Sequence, residues 1–396
     1  NRLESGRLGG TRNSELRGHC RSGLPERGRK LSLEARAFWN ALVEPGDRIA
    51  GALLHDYGAE QALELFRRKS LAPVSNISSQ ELSNAYERWS TRSRADLGKR
   101  ALEHAGRQDM HPLLPSSPLW PKALNDLGNF APLMLWYRGN SDNFQALSKS
   151  IGIVGSRVAT HYGARITGQI SQLAVSEGAA VVSGGALGID AIAHRAALAV
   201  NGLTMAFMAG GLDSLYPSAH FELFEEIAHS GLLISELGPG VRPTRWRFLQ
   251  RNRLIAASSE AIVVSEAGWR SGSINTVNHA IELGRPVFAV PGPLEQATSA
   301  GSNRLIRDGM AQMLIDVNDL PEELGWRKAR QMTSTSMGQL ELRLFDVLGS
   351  RSKSALTLQR EAGLDSKELA IALGGLKLLG LVEQGENLGW KRSLKR

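Results

Sequence analysis

The chain carries one cysteine, Cys20, in 396 residues. A single thiol excludes an intrachain disulfide framework and any site built on a cysteine cluster, and it suits a reducing cytoplasm. No apolar run reaches the roughly 18 residues that a membrane-spanning helix needs. The P-loop pattern G-x-x-x-x-G-K-[ST] is missing, which argues against a triphosphatase. The tightest glycine cluster, Gly184, Gly185 and Gly188, spells G-G-x-x-G rather than the dinucleotide fingerprint G-x-G-x-x-G. Asp190 and His194 have no third metal ligand at a useful spacing, so neither metal nor other cofactor is assigned. At 42% hydrophobic and 22% charged residues, the chain has the composition of an ordinary globular protein.

Positive charge is concentrated at the ends. Of the net +8, residues 1–30 supply +5, from eight Lys/Arg against three Asp/Glu, and the last six residues add four basic groups. Residues 31–390 are therefore left at −1, and net charge alone is no argument for nucleic acid. The first 30 residues lack the apolar stretch of a secretory signal and are expected to be a disordered basic segment.

Periodicity divides the remainder. From Ala35 to Arg68 apolar residues recur at helical spacing with breaks at Pro45-Gly46 and Tyr57-Gly58, so residues 31–117 read as a small helical domain and its linker. From Ile151 short apolar runs alternate with amphipathic helices: 151–154, 179–182, 204–208, 232–234, 261–264 and 286–290. Such runs predict parallel strands buried on both faces, hence a doubly wound α/β domain, placed at 118–322. A polar linker, 323–338, follows. Residues 339–396 read as helix, helix, helix and a hairpin around Gly385, the order of a winged helix or of another three-helix interaction module.

Ligands of a doubly wound sheet bind at the carboxyl ends of its strands. Four loops there offer small hydroxyls or free N–H groups at a helix start: Gly155-Ser156-Arg157, Ser183-Gly184-Gly185, Ser271-Gly272-Ser273 and Gly301-Ser302-Asn303. Helix N-termini and glycine-lined backbone suit phosphate, although each loop alone is also ordinary turn chemistry. A hydrolytic triad of Ser183, Asp190 and His194 is disfavoured, because Ser183 sits in no G-x-S-x-G elbow. Asp190 then serves the helix start, with His194 packed beside it. In "WRFLQRNRLIAASS", Arg251 and Arg253 flank Asn252, after three more arginines in "RPTRWRF". These side chains suit phosphate, with Phe248 or Trp246 stacking on a base, or else they serve as structural partners for Glu236 or Glu266.

In order along the chain, "GIVGSRVATHYG", "VVSGGALGIDAIAHRAAL", "GGLDSLYP", "GLLISELGPG", "FLQRNRLIAASSEAIVVSEA", "SGSINT" and "GRPVFAVPG" resemble the DNA-processing protein family DprA/Smf, from about Pro118 to Ile315. The pattern departs from that family at Gly210-Gly211, Ser265 and Val277. The resemblance implies an extended Rossmann fold flanked by a sterile-alpha-motif-like helical domain and, in many members, a winged helix. It implies a cytoplasmic, dimeric, non-enzymatic protein that binds single-stranded DNA without sequence preference and loads the recombinase RecA during natural transformation. By the same resemblance Gly155, Ser156, Arg157, Ser183, Gly184, Gly185, Phe248, Arg251, Asn252, Arg253, Ser271, Gly272 and Ser273 line the DNA pocket. The competing enzyme reading, a nucleotide phosphoribohydrolase of the lysine-decarboxylase-like Rossmann group, requires P-G-G-x-G-T-x-x-E where this chain has "EAGWRSGSINT".

Overall fold

A computed structural model describes residues 26–327, 337–385 and 389–393, which belong to two units, one ending at Arg327 and one following it. Cys20, most of the basic N-terminal segment and most of the expected linker lie outside the described residues. Helix begins at Glu26.

The first unit opens with four helices: α1 (Glu26–Leu42), α2 (Arg48–Arg67), α3 (Ser79–Ser90) and α4 (Leu97–Arg107). Local signals set their starts. The Asp47 side chain accepts from the N–H groups of Ile49 and Ala50, and Ser78 with Glu81 forms a reciprocal capping box. Gly58, at φ 72°, lets α2 kink. Trp39 is fully buried, with ring centroids 5.6 Å from Phe66 and 5.3 Å from Trp89, and its Nε1 donates to the carbonyl of Ala59.

The larger part of this unit is a nine-stranded sheet. Its strands are β1 (His111–Leu113), β2 (Leu135–Gly139), β3 (Ser150–Gly155), β4 (Ala180–Ser183), β5 (Thr204–Met208), β6 (Leu232–Ser235), β7 (Ala261–Glu266), β8 (Val287–Ala289) and β9 (Gln312–Met313), in the order β1-β2-β6-β5-β4-β3-β7-β8-β9. From β6 to β9 every pairing is parallel, whereas β1 and β2 join antiparallel beyond β6. The helices between strands are α5 (His161–Ser176), α6 (Ile189–Leu198), α7 (Phe221–Ser230), α8 (Arg245–Ser258), α9 (Ser273–Glu282) and α10 (Ala300–Arg307), with a short α11 (Leu320–Glu323) after the sheet. The six expected runs all form strands, because β-branched and apolar residues such as Ile151, Val181, Phe207, Ile234 and Val263 are buried with helices on both faces. Strands β1 and β9 have only three and two residues and leave no periodicity to read. Strand order reverses between β3 and β7, which makes their carboxyl ends the topological switch point.

The helical part is fastened to the sheet through Glu236, just past β6. Its carboxylate accepts two bonds from Arg253 Nη2, each 2.7 Å, and one from the Gly46 N–H at 3.3 Å. Its carbonyl accepts from Asn40, whose own oxygen accepts from Trp136 Nε1 at 2.8 Å. Arg247 on α8 adds a paired contact to Glu44.

The second unit has its own core, including Leu344, Leu358, Leu369, Leu373, Leu376 and Val382. It consists of α12 (Gln339–Val347), α13 (Ala355–Ala362), α14 (Ser366–Leu378) and a hairpin, β10 (Val382–Gln384) with β11 (Trp390–Arg392). Gly363, at φ 61°, ends α13, and an Asp365–Glu368 capping box starts α14. Among the described residues no helix is long and apolar enough to cross a membrane.

Replacing Glu236 by alanine leaves the Arg253 guanidinium buried without its carboxylate, at an expected cost of about 3–5 kcal/mol. Urea unfolding followed by far-UV circular dichroism measures this. A midpoint equal to wild type would remove the pair from the account of how α8 is held.

Candidate nucleic-acid interface

The loop after β3 is built around a buried carboxylate. Ser156 N–H donates to the Glu266 carbonyl at 2.7 Å, while the Glu266 side chain accepts the N–H and the hydroxyl of Thr160, each at 2.9 Å. Thr160 in turn caps α5 through the N–H of Gly163. A Cβ on Gly163 would lie 2.3 Å from Glu266 Oε2, so this position has no room for a side chain. From the other side the Ile189 N–H donates to the Ser156 carbonyl at 3.0 Å, and Gly188, at φ 77°, allows that approach. With both sides held, Arg157 is left exposed at the loop tip.

Arg251 reaches from α8 across the ends of β4 and β5. Its Nη1 donates to the Gly184 carbonyl at 2.6 Å and also to the Phe207 carbonyl. Three residues earlier on the helix, Phe248 has the Arg157 and Arg251 guanidinium groups over its ring at 5.4 and 5.6 Å, with Tyr216 edge-on at 5.9 Å. Burial lowers the Arg251 pKa to about 10, against the pull of Asp190, so the guanidinium remains a cation at neutral pH. Asp190 accepts the N–H groups of Gly184 and Ala186 at 3.2 and 3.3 Å; burial pushes its carboxyl up while Arg251 and those N–H groups oppose the rise.

The facing wall follows β7. Ser271 and Ser273 share a hydrogen bond at 2.7 Å, and the Asn252 amide ties α8 to Gly272 O and Asn275. Between the walls lies an open cleft of about 980 Å³ at the switch point. Arg157, Arg245 and Arg270 stand exposed along it, and none of them forms an ion pair among the described residues. Both Glu266 oxygens accept from Thr160, and one oxygen of buried Asp190 accepts two backbone N–H groups, while the Asp190 charge also attracts Arg251 and Arg157. The cleft therefore presents exposed cations, together with hydroxyls and helix-start backbone, the chemistry of an anion site.

Of the residues predicted from sequence, Gly155, Ser156, Arg157, Phe248, Arg251, Asn252, Ser271, Gly272 and Ser273 line this cleft. Four do not. The Ser183 hydroxyl is buried and donates to the Ile153 carbonyl at 2.6 Å. Gly184 lies against the Arg251 guanidinium, where a Cβ would come within 2.4 Å, and Gly185, at φ 66°, abuts the ring of Phe224. Arg253 points to Glu236 instead, which is the structural alternative for these arginines. The "VVSGGALGIDAIAH" loop thus buttresses the cleft, contributing Ala186 and Asp190 to its lining. Sequence reading passed over Tyr216, Trp269 and Arg270, and had Arg245 only as one of the three arginines of "RPTRWRF". Arg270, directly before Ser271-Gly272-Ser273, was the legible signal among them.

His194 is fully buried on α6, with Nδ1 2.7 Å from the Thr204 hydroxyl and no bond to Ser183 or Asp190 among the described residues. No described group of three or more His, Cys, Asp or Glu residues is placed to hold a metal ion.

This arrangement defines an extended Rossmann-type α/β protein with a basic cleft at its switch point. Residues 111–325 match the family model described as DNA recombination-mediator protein A, and the chain belongs to that family. A DNA processing protein DprA of Mycobacterium tuberculosis is 38% identical over 303 residues, spanning 74% of this chain and 75% of the relative. That of Bacillus subtilis is 35% identical over 213 residues, spanning 54% and 70%. The X-ray structure of DprA from Streptococcus pneumoniae superposes with a TM-score of 0.61 at 31% identity, covering 74% of this chain and 97% of that one.

Burial drives the His194 pKa down to about 3, so the imidazole is neutral in the fold and charges on unfolding below its ordinary value near 6.5. The unfolded chain then binds the extra proton, and stability is lost as pH falls from about 6.5 towards 3, by up to about 1.4 kcal/mol per pH unit. Asp190, raised by burial, acts with the opposite sign in acid. Chemical denaturation of wild type and His194→Gln across this range isolates the histidine: the wild-type advantage should shrink on acidification. A pH-independent difference would contradict the assignment.

Proposed function

We propose that this chain is a non-enzymatic, cytoplasmic single-stranded DNA-binding protein that engages successive phosphates in the cleft between the ends of β3 and β7. The observation that carries the reading is the set of three exposed arginines, Arg157, Arg245 and Arg270, without an ion-pair partner among the described residues, around an open cleft of about 980 Å³. An enclosed pocket would fit one nucleotide, whereas a trough open to solvent admits a polymer. Arg157, Arg245 and Arg270 contact phosphate oxygens, Ser156, Ser271 and Ser273 with the α9 start add hydrogen bonds, and Arg251 supplies a fixed positive floor. Contacts of this kind carry no base information, so binding is indifferent to sequence.

The relatives carry the name DNA processing protein, and the family is described as a recombination mediator. In keeping with the family resemblance, the chain acts as a homodimer that protects incoming DNA and delivers it to RecA during natural transformation. The helical part, 31–117, is the sterile-alpha-motif-like domain of this assembly and 339–396 its winged helix. On α14, Ile371 and Leu378 are exposed while Lys367 and Lys377 are its only basic residues, which favours a protein contact over DNA reading there.

The logarithm of the full chain's affinity for a short oligothymidine should fall linearly with the logarithm of salt concentration. Each arginine removed should flatten the slope by about 0.7. Arg157→Glu and Arg270→Glu should each weaken binding at least about tenfold by fluorescence anisotropy. Wild-type affinity and slope in both variants would dismiss the cleft as the site.

A further inference from the structure

We infer that Trp269 is a base-stacking platform at the rim of the cleft, taking one nucleobase of a single strand whose phosphates lie on the arginines. This rests on the cleft being the single-strand site and names a contact that phosphate chemistry does not require. Trp269 lines the cleft and is 52% exposed. About half of the indole surface is therefore open to a ligand that enters the cleft, and an indole has one apolar face to offer a base.

Five of the other seven tryptophans are anchored by their indole N–H; Trp246 and the partly buried Trp390 of the second unit are not among them. Trp39, Trp89, Trp120, Trp136 and Trp326 each donate their Nε1 to an oxygen within the fold. Trp269 makes no hydrogen bond among the described residues. Trp246 is comparably exposed, yet it does not line the cleft.

The ring is nevertheless held. The Arg304 guanidinium lies over it at 4.8 Å and is itself fixed by Asp308, 3.2 Å from Arg304 Nε. No second cation or aromatic ring lies over Trp269 among the described residues, so a base can stack against a ring already supported from one side. Phe248, by contrast, already carries two guanidinium groups and the edge of Tyr216. Adjacent Arg270 places a free cation next to the platform, so a phosphate and its base are met by consecutive residues. Every base has a π-face, and stacking here keeps binding indifferent to sequence.

The test compares a short oligothymidine with an abasic deoxyribose-phosphate oligomer of equal length, on the full chain. Trp269→Ala should weaken oligothymidine binding about 5- to 150-fold, the range spanned by loss of one base–aromatic stack, and leave the abasic oligomer unchanged. Trp269→Phe should keep most of the oligothymidine affinity. Equal losses on both ligands, or no loss on either, would overturn the platform. Arg157→Glu separates the two ideas, since it should weaken both ligands alike. If it weakens neither, the cleft reading fails and the platform with it; if it weakens both while Trp269→Ala changes nothing, only the platform fails.

Discussion

Arg253 and Glu236 meet in the interior, with the guanidinium Nη2 shared between both carboxylate oxygens at 2.7 Å. Removing either partner would strand a buried charge, so the pair constrains α8 to one position over the sheet. Glu236 also receives the Gly46 N–H and, through its carbonyl, the Asn40 amide, which brings the helical part onto the same point. Everything that α8 presents to the cleft depends on this setting. Arg251 is two residues from Arg253, about 200° around the helix, and therefore faces the other way. Fixing one arginine inward against a carboxylate is what aims the other at the ends of β4 and β5.

The cleft follows from how charge is distributed between the interior and the rim. Glu266 turns its oxygens to Thr160 and shapes the Arg157 loop; Asp190 turns one to the N–H groups of Gly184 and Ala186 and shapes the next loop. Among the described residues neither lies within ion-pair distance of an arginine, although the Asp190 charge attracts Arg251 and Arg157, and Arg157, Arg245 and Arg270 stand exposed. The result is a trough lined by exposed arginines whose floor, Arg251, is held by the Gly184 and Phe207 carbonyls. His194, buried on α6 against the Thr204 hydroxyl and neutral, belongs to packing.

Much of this was legible in the sequence because burial on both faces of a parallel sheet writes itself as short uninterrupted apolar runs. The six central strands, the three helices and hairpin of the second unit, and the loops carrying Arg157 and Ser271 could be placed from pattern alone. Strands β1, β2 and β9 could not: two are very short, and β2 mixes Trp136, Tyr137 and Arg138 at an antiparallel edge. The partition of the arginines was also hidden. Sequence adjacency groups Arg251, Asn252 and Arg253 as one site, whereas helix geometry sends Arg253 to Glu236, and only the fold shows which carboxylate waits there. For the Ser183-Gly184-Gly185 loop the glycine pattern reported tightness correctly, but the tightness is against Arg251 and Phe224 rather than against a phosphate. Trp269 sits in a loop whose direction no local pattern encodes, and Arg245, the first residue of α8, is one of three arginines in "RPTRWRF" that the sequence does not tell apart.

The most direct test of the account is a crystal structure of the full chain with oligothymidine bound. The account predicts consecutive phosphates running through the trough between the β3 and β7 loops, within hydrogen-bonding distance of Arg157 and Arg270. A strand lying instead on the second unit or the helical part, with the trough left to solvent, would contradict it.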